Sequence, residues 1–180
     1  FVAQNQNGVE SQGCVEIHYY DASQGLDDIT LSEATVPACT DIRKPYYAYS
    51  LGKWFAGCDQ GVLVSSDGAA TWTLAATAFA VSQKSIYSVA CSSSGTLIAV
   101  GGDGTDGFVF RSTDGGQTWV GDPYLEDSQL FNVANVSQGV FVVAGEDGAV
   151  GISRDDGFDW VALDGVDGHA DLGAINPNSC

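Results

Sequence analysis

The chain contains no methionine and only six lysine and arginine residues, two histidines and four prolines among its 180 residues. Against these few bases stand 23 acidic residues, so the formal net charge is −17. This charge argues against binding to nucleic acid or to an anionic membrane, because both carry dense negative charge. No long apolar run occurs, so no membrane-spanning helix is expected. No signal peptide is visible either, and a methionine-free chain that starts at Phe1 indicates a processed or incomplete sequence.

The scarcity of histidine limits the enzyme classes that the chain can support. His18 and His169 lie far apart, and neither is near a serine elbow or a His-Glu-x-x-His pattern. Triad hydrolysis and zinc chemistry therefore have no support in the sequence.

The composition and the residue pattern of the chain predict a single all-β domain. Hydrophobic residues make up 44% of the chain, enough for one sizeable core. Short runs of β-branched and aromatic residues alternate with Gly, Asp and Ser clusters, which is typical of strands joined by turns, and no long helix is expected between them.

One eight-residue pattern occurs three times, at 65–72, 112–119 and 153–160. Its candidate structural residues are Ser65, Asp67 and Trp72 in the first copy, Ser112, Asp114, Gly116, Thr118 and Trp119 in the second, and Ser153, Asp155, Gly157 and Trp160 in the third. A short acid can accept hydrogen bonds from the amides of a tight turn, glycine permits positive φ, and tryptophan can pack between sheets. Ala69 and Asp159 depart from the pattern, at a glycine and a threonine position respectively.

The spacing of the copies predicts repeated four-stranded units. Trp72 and Trp119 are 47 residues apart, and Trp119 and Trp160 are 41 apart, which suits one propeller blade per repeat. We predict blades at about 46–76, 86–122 and 130–164, with an amino-terminal hairpin at 14–33 and a carboxy-terminal segment at 169–180 forming a partial blade. Propellers have about four to eight blades, so the ring closes imperfectly, lacks part of its chain, or is completed by another subunit.

The repeated pattern resembles the Asp-box, Ser-x-Asp-x-Gly-x-Thr-Trp, of sialidase-like β-propellers. The resemblance covers roughly residues 46–164 and implies a propeller of antiparallel blades. It leaves function open, because sialidases, other glycosidases, sorting receptors and photosystem II assembly factors all carry the box. The stretch from Gly95 to Trp119, with a glycine-flanked strand before an Arg-Ser-x-Asp-Gly-Gly-x-Thr-Trp hairpin, looks most like the blades of photosystem II assembly and stability factors. Those factors are expected to have a basic face, whereas this chain is acidic.

Catalysis by a sialidase would need three arginines in one pocket. The chain has only Arg43, Arg111 and Arg154, and the last two belong to box hairpins that are remote from a propeller's centre. A glycosidase needs two carboxylates, and the acidic pairs Glu126–Asp127 and Glu146–Asp147 are too ordinary to identify one. We therefore predict no catalytic residues.

Five cysteines, Cys14, Cys39, Cys58, Cys91 and Cys180, lack metal-binding spacing and are disulfide candidates, which favours an extracytoplasmic location. The expected pairs are Cys58 with Cys91 between adjacent blades and Cys14 with Cys180 across the ends. Asn135 begins a glycosylation sequon, and Asp103 and Asp106 form a weak calcium candidate in a Gly-Asp loop. No other metal or cofactor is expected.

The sequence favours a non-catalytic β-propeller that binds other protein subunits as part of a larger assembly, in a secreted or lumenal compartment such as the thylakoid lumen of a photosynthetic cell. The alternative is a secreted glycan-binding lectin or a glycoside hydrolase. Trp54, Tyr46 and Tyr124 are candidate contact residues, although each also suits blade packing.

Overall fold

The computed structural model describes residues 2–4, 16–19, 32–37, 39, 41–75, 85–125 and 128–163, and these are almost entirely β structure. The strands form one three-stranded sheet and three four-stranded sheets. In each four-stranded sheet, sequence order and spatial order agree, so every strand pairs antiparallel with its sequence neighbour. We call the three sheets blades I, II and III.

The strand boundaries follow the predicted repeats. The amino-terminal sheet contains β1 (Val2–Gln4), β2 (Glu16–Tyr19) and β3 (Ser32–Glu33). Blade I contains β4 (Tyr46–Ala48), β5 (Lys53–Cys58), β6 (Gly61–Ser65) and β7 (Thr73–Leu74). Blade II contains β8 (Ser85–Cys91), β9 (Leu97–Gly102), β10 (Gly107–Ser112) and β11 (Val120–Leu125). Blade III contains β12 (Leu130–Ser137), β13 (Val140–Gly145), β14 (Val150–Ser153) and β15 (Val161–Leu163), with a 3-10 turn at Glu146–Gly148.

The blades stack face to face, since the central strands are apolar on both sides. Every residue of β9 is buried. Phe55 and Val62 of blade I pack with Leu97, Phe108 and Trp119 of blade II. The opposite face of blade II contributes Ile98, Val100 and Val109 to a second cluster with Val133, Phe141 and Val143 of blade III. The strands β8, β9 and β10 of blade II therefore each contribute to two interfaces, which explains their near-continuous hydrophobic sequence.

Among the described residues, the side of blade I that faces away from blade II is covered by a segment outside the repeat. Ala34 and Ile42 pack with Leu63 and Trp72 in a third cluster. The amide of Thr35 donates to the carbonyl of Ala70 at 2.9 Å, so the segment runs beside the turn of the first repeat.

The cysteine pairing differs from the expectation. Cys58 bonds to Cys39, with Cα atoms 6.4 Å apart, and Cys91 is a buried free thiol. The predicted Cys58–Cys91 pair is therefore wrong. Cys58 ends β5 on the face that meets the segment 34–42, whereas Cys91 lies in the cluster between blades I and II.

The expected hairpin at 14–33 corresponds in part to β2 and β3, which pair antiparallel, with β1 added on the other side of β2. Cys14, Cys180 and the segment 169–180 lie outside the described residues. In the part of the chain that the structure describes, no helix has the length and apolar character needed to cross a membrane.

Candidate functional site

Each of the three repeated patterns forms a turn, which we call a box turn: 65–72, 112–119 and 153–160. In the second, the Asp114 carboxylate accepts from the Ser112 hydroxyl at 2.8 Å and from the amides of Gln117 and Thr118, each at 2.9 Å. The Gly116 amide donates to Ser112 Oγ at 3.0 Å, and Trp119 Nε1 donates to the Gly116 carbonyl at 3.2 Å. Hydrogen bonds of the acid, the serine and the tryptophan thus hold the same turn.

The two departures from the pattern have local explanations. Ala69 takes the glycine conformation, with φ of 77°, and its amide still donates to Ser65 Oγ at 3.0 Å. Its side chain is fully buried, in the cluster that also contains Ala34, Cys39 and Ile42. The Asp159 amide donates to the Asp155 carboxylate at 2.9 Å, as the Thr118 amide does to Asp114. Thr118 Oγ1 also donates to Asp114, at 2.5 Å, and Asp159 has no hydroxyl that could make this second bond. The third turn therefore keeps the backbone bonds and loses one side-chain bond.

These hydrogen bonds lower the pKa of the box carboxylates. Hydrogen bonds from Thr71, then from Ser65, lower the pKa of Asp67 to about 2. At Asp114, partial burial is the largest single influence and raises the pKa, but bonds from Thr118, Ser112 and Gln117 together outweigh it and lower the pKa to about 2. The folded state thus favours the ionised carboxylates.

Stability should therefore fall in acid. A carboxyl whose pKa is lower in the folded state stabilises the fold above its unfolded pKa of about 4, and this stabilisation is lost as the pH falls toward about 2. We expect the thermal midpoint to drop across this window, and Asp114→Asn to make the drop shallower. A thermal midpoint that falls as steeply in Asp114→Asn as in the wild type would contradict the assignment.

A second repeated feature lies near the starts of β8 and β12, the first strands of blades II and III. The register between β8 and β9 shifts between Ile86 and Ser88, and that between β12 and β13 shifts between Leu130 and Asn132. Tyr87 and Phe131 are the extra residues of these two bulges. Bulges redirect a side chain out of the regular pleat and are frequent beside functional sites.

Arg43 occupies the corresponding position before blade I. Its amide donates to the Gly57 carbonyl at 2.8 Å, and it lies 44 residues before Tyr87, which is itself 44 residues before Phe131. Arg43 Cζ is 4.9 Å from the centre of the Tyr87 ring, and the Tyr87 and Phe131 rings are 5.5 Å apart, edge to face. We call Arg43, Tyr87 and Phe131 the ladder; it runs from the segment before blade I to the first strands of blades II and III.

Polar side chains surround the ladder. The Tyr87 hydroxyl donates to Gln129 Oε1 at 3.0 Å, and Gln129 Nε2 donates to Glu146 Oε1 at 2.9 Å. The pKa of the Tyr87 phenol is raised, chiefly because the side chain is partly buried. The positive charge of Arg43 lowers this pKa, whereas the negative charges of Glu146 and Asp41 raise it further. Tyr87 is therefore a neutral hydrogen-bonding group beside a cation.

The structure does not bring the three arginines together. Arg111 pairs with Ile98 at the start of β9, and its Nε donates to the Asp156 carbonyl at 2.9 Å. Arg43 lies at the bulge ends of the blades, and Arg154 is exposed in the third box turn. Glu146 accepts hydrogen bonds from the backbone amide and from Nε2 of Gln129. No triad of arginines grips a carboxylate among the described residues.

The remaining candidate residues have local partners. Asp103 Oδ1 accepts from the amides of Thr105 and Asp106, at 3.1 and 3.0 Å, so it closes its own turn; calcium binding there stays a prediction. Asn135 Nδ2 donates to the carbonyls of Ser137 and Val140, and its glycosylation stays a prediction as well. The Cys39, Cys58 and Asp59 cluster is unsuited to a metal because its two sulfurs are bonded to each other.

One further group of aromatic side chains lies at the start of blade I. Tyr47 is 4.9 Å from Tyr49 and also 4.9 Å from Trp54, measured between ring centres, and Tyr49 is 89% exposed. Tyr46 does not belong to this group, because its hydroxyl bonds to the backbone of Cys91 and so joins blades I and II.

The comparisons with known proteins identify the fold. No protein-family model and no curated protein matches the chain. Among solved structures, YCF48 bound to D1 peptide aligns with a TM-score of 0.62 at 20% identity, over 77% of this chain and 44% of its own. YCF48 from Cyanidioschyzon merolae gives 0.55 at 20% identity, over 68% and 36%. An ancestral GH74 enzyme gives 0.64 at 16% identity, over 88% and 24%.

These similarities and the three stacked antiparallel sheets show a β-propeller fold, as the sequence predicted. The chain spans less than half the length of each of these neighbours. The neighbours include both a peptide-bound protein and an enzyme, and their identities to this chain are at or below 20%, so the function has to be argued from the site.

Proposed function

We propose that this protein is a non-catalytic propeller that binds an extended segment of another protein across the ladder, as a subunit or assembly factor of a larger complex outside the cytosol. The ladder is the observation that carries the proposal. It places a cation from the segment before blade I in a row with one aromatic ring of blade II and one of blade III, and arginine and aromatic residues dominate the binding energy of protein interfaces.

The bulges support a binding role for these residues. A regular strand would direct Tyr87 and Phe131 into the blade interfaces, which are already filled by Val89 and Val133. The extra residue at each bulge leaves both rings half-buried at the ends of the blades instead. Rings arranged one per blade suit an extended chain, because successive side chains of that chain meet successive blades.

Two further observations agree with the proposal. The solved YCF48 structure is described as bound to D1 peptide, which shows that a propeller of similar fold holds a peptide. The Cys39–Cys58 disulfide fits an oxidising compartment, such as a secretory or thylakoid lumen.

The test is selection of peptides from a random displayed library on the full chain. We expect the selected peptides to bind at least about tenfold more weakly to Arg43→Ala and to Phe131→Ala, since loss of one interface anchor costs more than about 1.4 kcal/mol. Arg154→Ala removes the same charge at an exposed box position, so its affinity should be unchanged.

Two outcomes would contradict the proposal. One is selection of no peptide; the other is equal affinity for all three variants. Binding of the wild type to a glycan array without any peptide ligand would favour the lectin alternative instead. The aromatic group of Tyr47, Tyr49 and Trp54, in which Tyr49 is 89% exposed, favours that alternative, because aromatic faces stack on sugar rings.

A further inference from the structure

Arg43 is the one ladder residue that no strand positions. Tyr87 and Phe131 lie in β8 and β12, which pair with the second strands of their blades on both sides of the bulge. The pairing of β4 with β5 begins only at Tyr46, so Arg43 lies before it, outside any strand. The position of Arg43 beside the Tyr87 ring therefore depends on what holds the segment 34–42 in place.

A disulfide attaches this segment at the point where Arg43 meets blade I. Cys58, the last residue of β5, is bonded to Cys39, which lies four residues before Arg43. The carbonyl of the neighbouring Gly57 accepts a hydrogen bond from the Arg43 amide at 2.8 Å. The disulfide and the hydrogen bond thus join Cys39 and Arg43 to two consecutive residues of β5.

Gly57 also contacts the backbone that carries Tyr87. A Cβ atom on Gly57 would lie 2.2 Å from the carbonyl oxygen of Ile86, so only glycine lets the two backbones approach this closely. Gly57 therefore contacts both Arg43 and the residue before Tyr87. The end of β5 links these two ladder residues, and the disulfide fixes the segment 34–42 to this link.

The backbone just before Arg43 needs support. Asp41 has φ of 53°, a left-handed conformation that costs free energy for a residue with a side chain. The next residue, Ile42, is fully buried in a cluster that includes both bonded cysteines, so the disulfide is part of its packing. Without the disulfide, this strained turn loses its covalent attachment to blade I. We therefore expect the contact between Arg43 and the Tyr87 ring to loosen when the disulfide is absent.

We propose that the Cys39–Cys58 disulfide positions Arg43 in the ladder, so that binding across the ladder depends on the redox state of this cysteine pair. The inference rests on the proposed function, because it concerns the same site. In the oxidised protein, Arg43 is held beside Tyr87 before a partner arrives, so binding does not have to order it. A dithiol reductant converts the disulfide into two thiols and is itself oxidised to a disulfide, which releases the segment that precedes Arg43.

Limited trypsin digestion of the full chain tests the positioning without any ligand. Trypsin cleaves after Arg43, and Arg154, exposed in the third box turn, is the internal reference, because general unfolding accelerates cleavage at both sites. We expect the double variant Cys39→Ala/Cys58→Ala to raise the ratio of the cleavage rates at Arg43 and Arg154 at least about tenfold, since a locally opened segment is cleaved in proportion to its open population. Wild type reduced with dithiothreitol, with its thiols counted by alkylation, gives the same test if the variant fails to fold. An unchanged ratio would overturn the proposal.

A double-mutant cycle tests the link to binding, with peptides selected on the wild type. Removal of the disulfide should weaken peptide binding at least about fivefold in the wild type but less than about twofold in Arg43→Ala, which has already lost the positioned side chain. Cys91→Ala removes a buried cysteine at the far end of β8 and should change neither affinity. Equal weakening in both backgrounds would show that the disulfide only stabilises the fold and would overturn the proposal. If no peptide is selected, the proposed function fails, whereas the tryptic ratio still decides whether the disulfide positions Arg43.

Discussion

Trp119→Ala should lower the free energy of unfolding by about 3–5 kcal/mol, the range for removal of a large buried aromatic side chain. Trp119 is 5% exposed, packs in the cluster between blades I and II, and donates from Nε1 to the Gly116 carbonyl. Its loss removes packing for two blades and leaves that carbonyl without its bond. Urea unfolding followed by circular dichroism measures the change as a lower midpoint.

Trp160→Ala provides the matched comparison. Trp160 makes the same bond, from Nε1 to the Gly157 carbonyl at 3.2 Å, but it is only half-buried at the edge of the cluster between blades II and III. The loss should therefore be clearly smaller. If the two variants are destabilised equally, the hydrogen bond and not the packing is the main contribution, and the argument from burial is wrong.

The repeat could be predicted from sequence because its determinants are local. The serine, acid and tryptophan of each box turn bond to atoms within a few residues, so their order along the chain specifies the turn. The strands could be predicted for the same reason, since alternation and turn residues are local signals. The strands of blade II lie within 85–125 and those of blade III within 130–163.

The ladder could not be predicted in this way. In the sequence alone, Arg43 is one of the three arginines that a sialidase pocket would need, and the runs around Tyr87 and Phe131 have the pattern of ordinary strands. What distinguishes them is a bulge in the pairing with β9 and β13, which depends on register between strands. Arg43, Tyr87 and Phe131 are each 44 residues apart, and this spacing is a signal in the sequence. The box tryptophans are 47 and 41 residues apart, so an alignment of the repeats on the tryptophans hides the regular spacing.

The disulfide was mispredicted for a related reason. Proximity along the repeat suggested that Cys58 and Cys91 meet between blades. Cys58 instead points to the opposite face of blade I, where Ala56 and Leu63 also lie, and the partner comes from a segment outside the repeat. Facing direction in a strand alternates with each residue, so an error of one position exchanges one interface for the other.

Gly116→Ala should destabilise the protein by about 1–3 kcal/mol, whereas Ala69→Gly, the reverse change at the same box position, should alter stability by less than about 1 kcal/mol. Gly116 has φ of 86°, and its added methyl would lie 2.7 Å from Phe55, whose position is fixed in a filled core. The backbone strain at positive φ and the close contact with Phe55 therefore both destabilise Gly116→Ala.

At Ala69 the two effects oppose each other. Its φ of 77° is relieved by glycine, but its fully buried methyl loses contact with the 34–42 segment. Denaturant midpoints of the two variants against wild type measure both changes. The two turns share their backbone conformation and the amide bonds to Ser65 and Ser112, so the backbone strain should be similar in size at both positions. Changes in stability of equal size and opposite sign would show that the turn itself, and not the surface on which it packs, determines which residue is accepted.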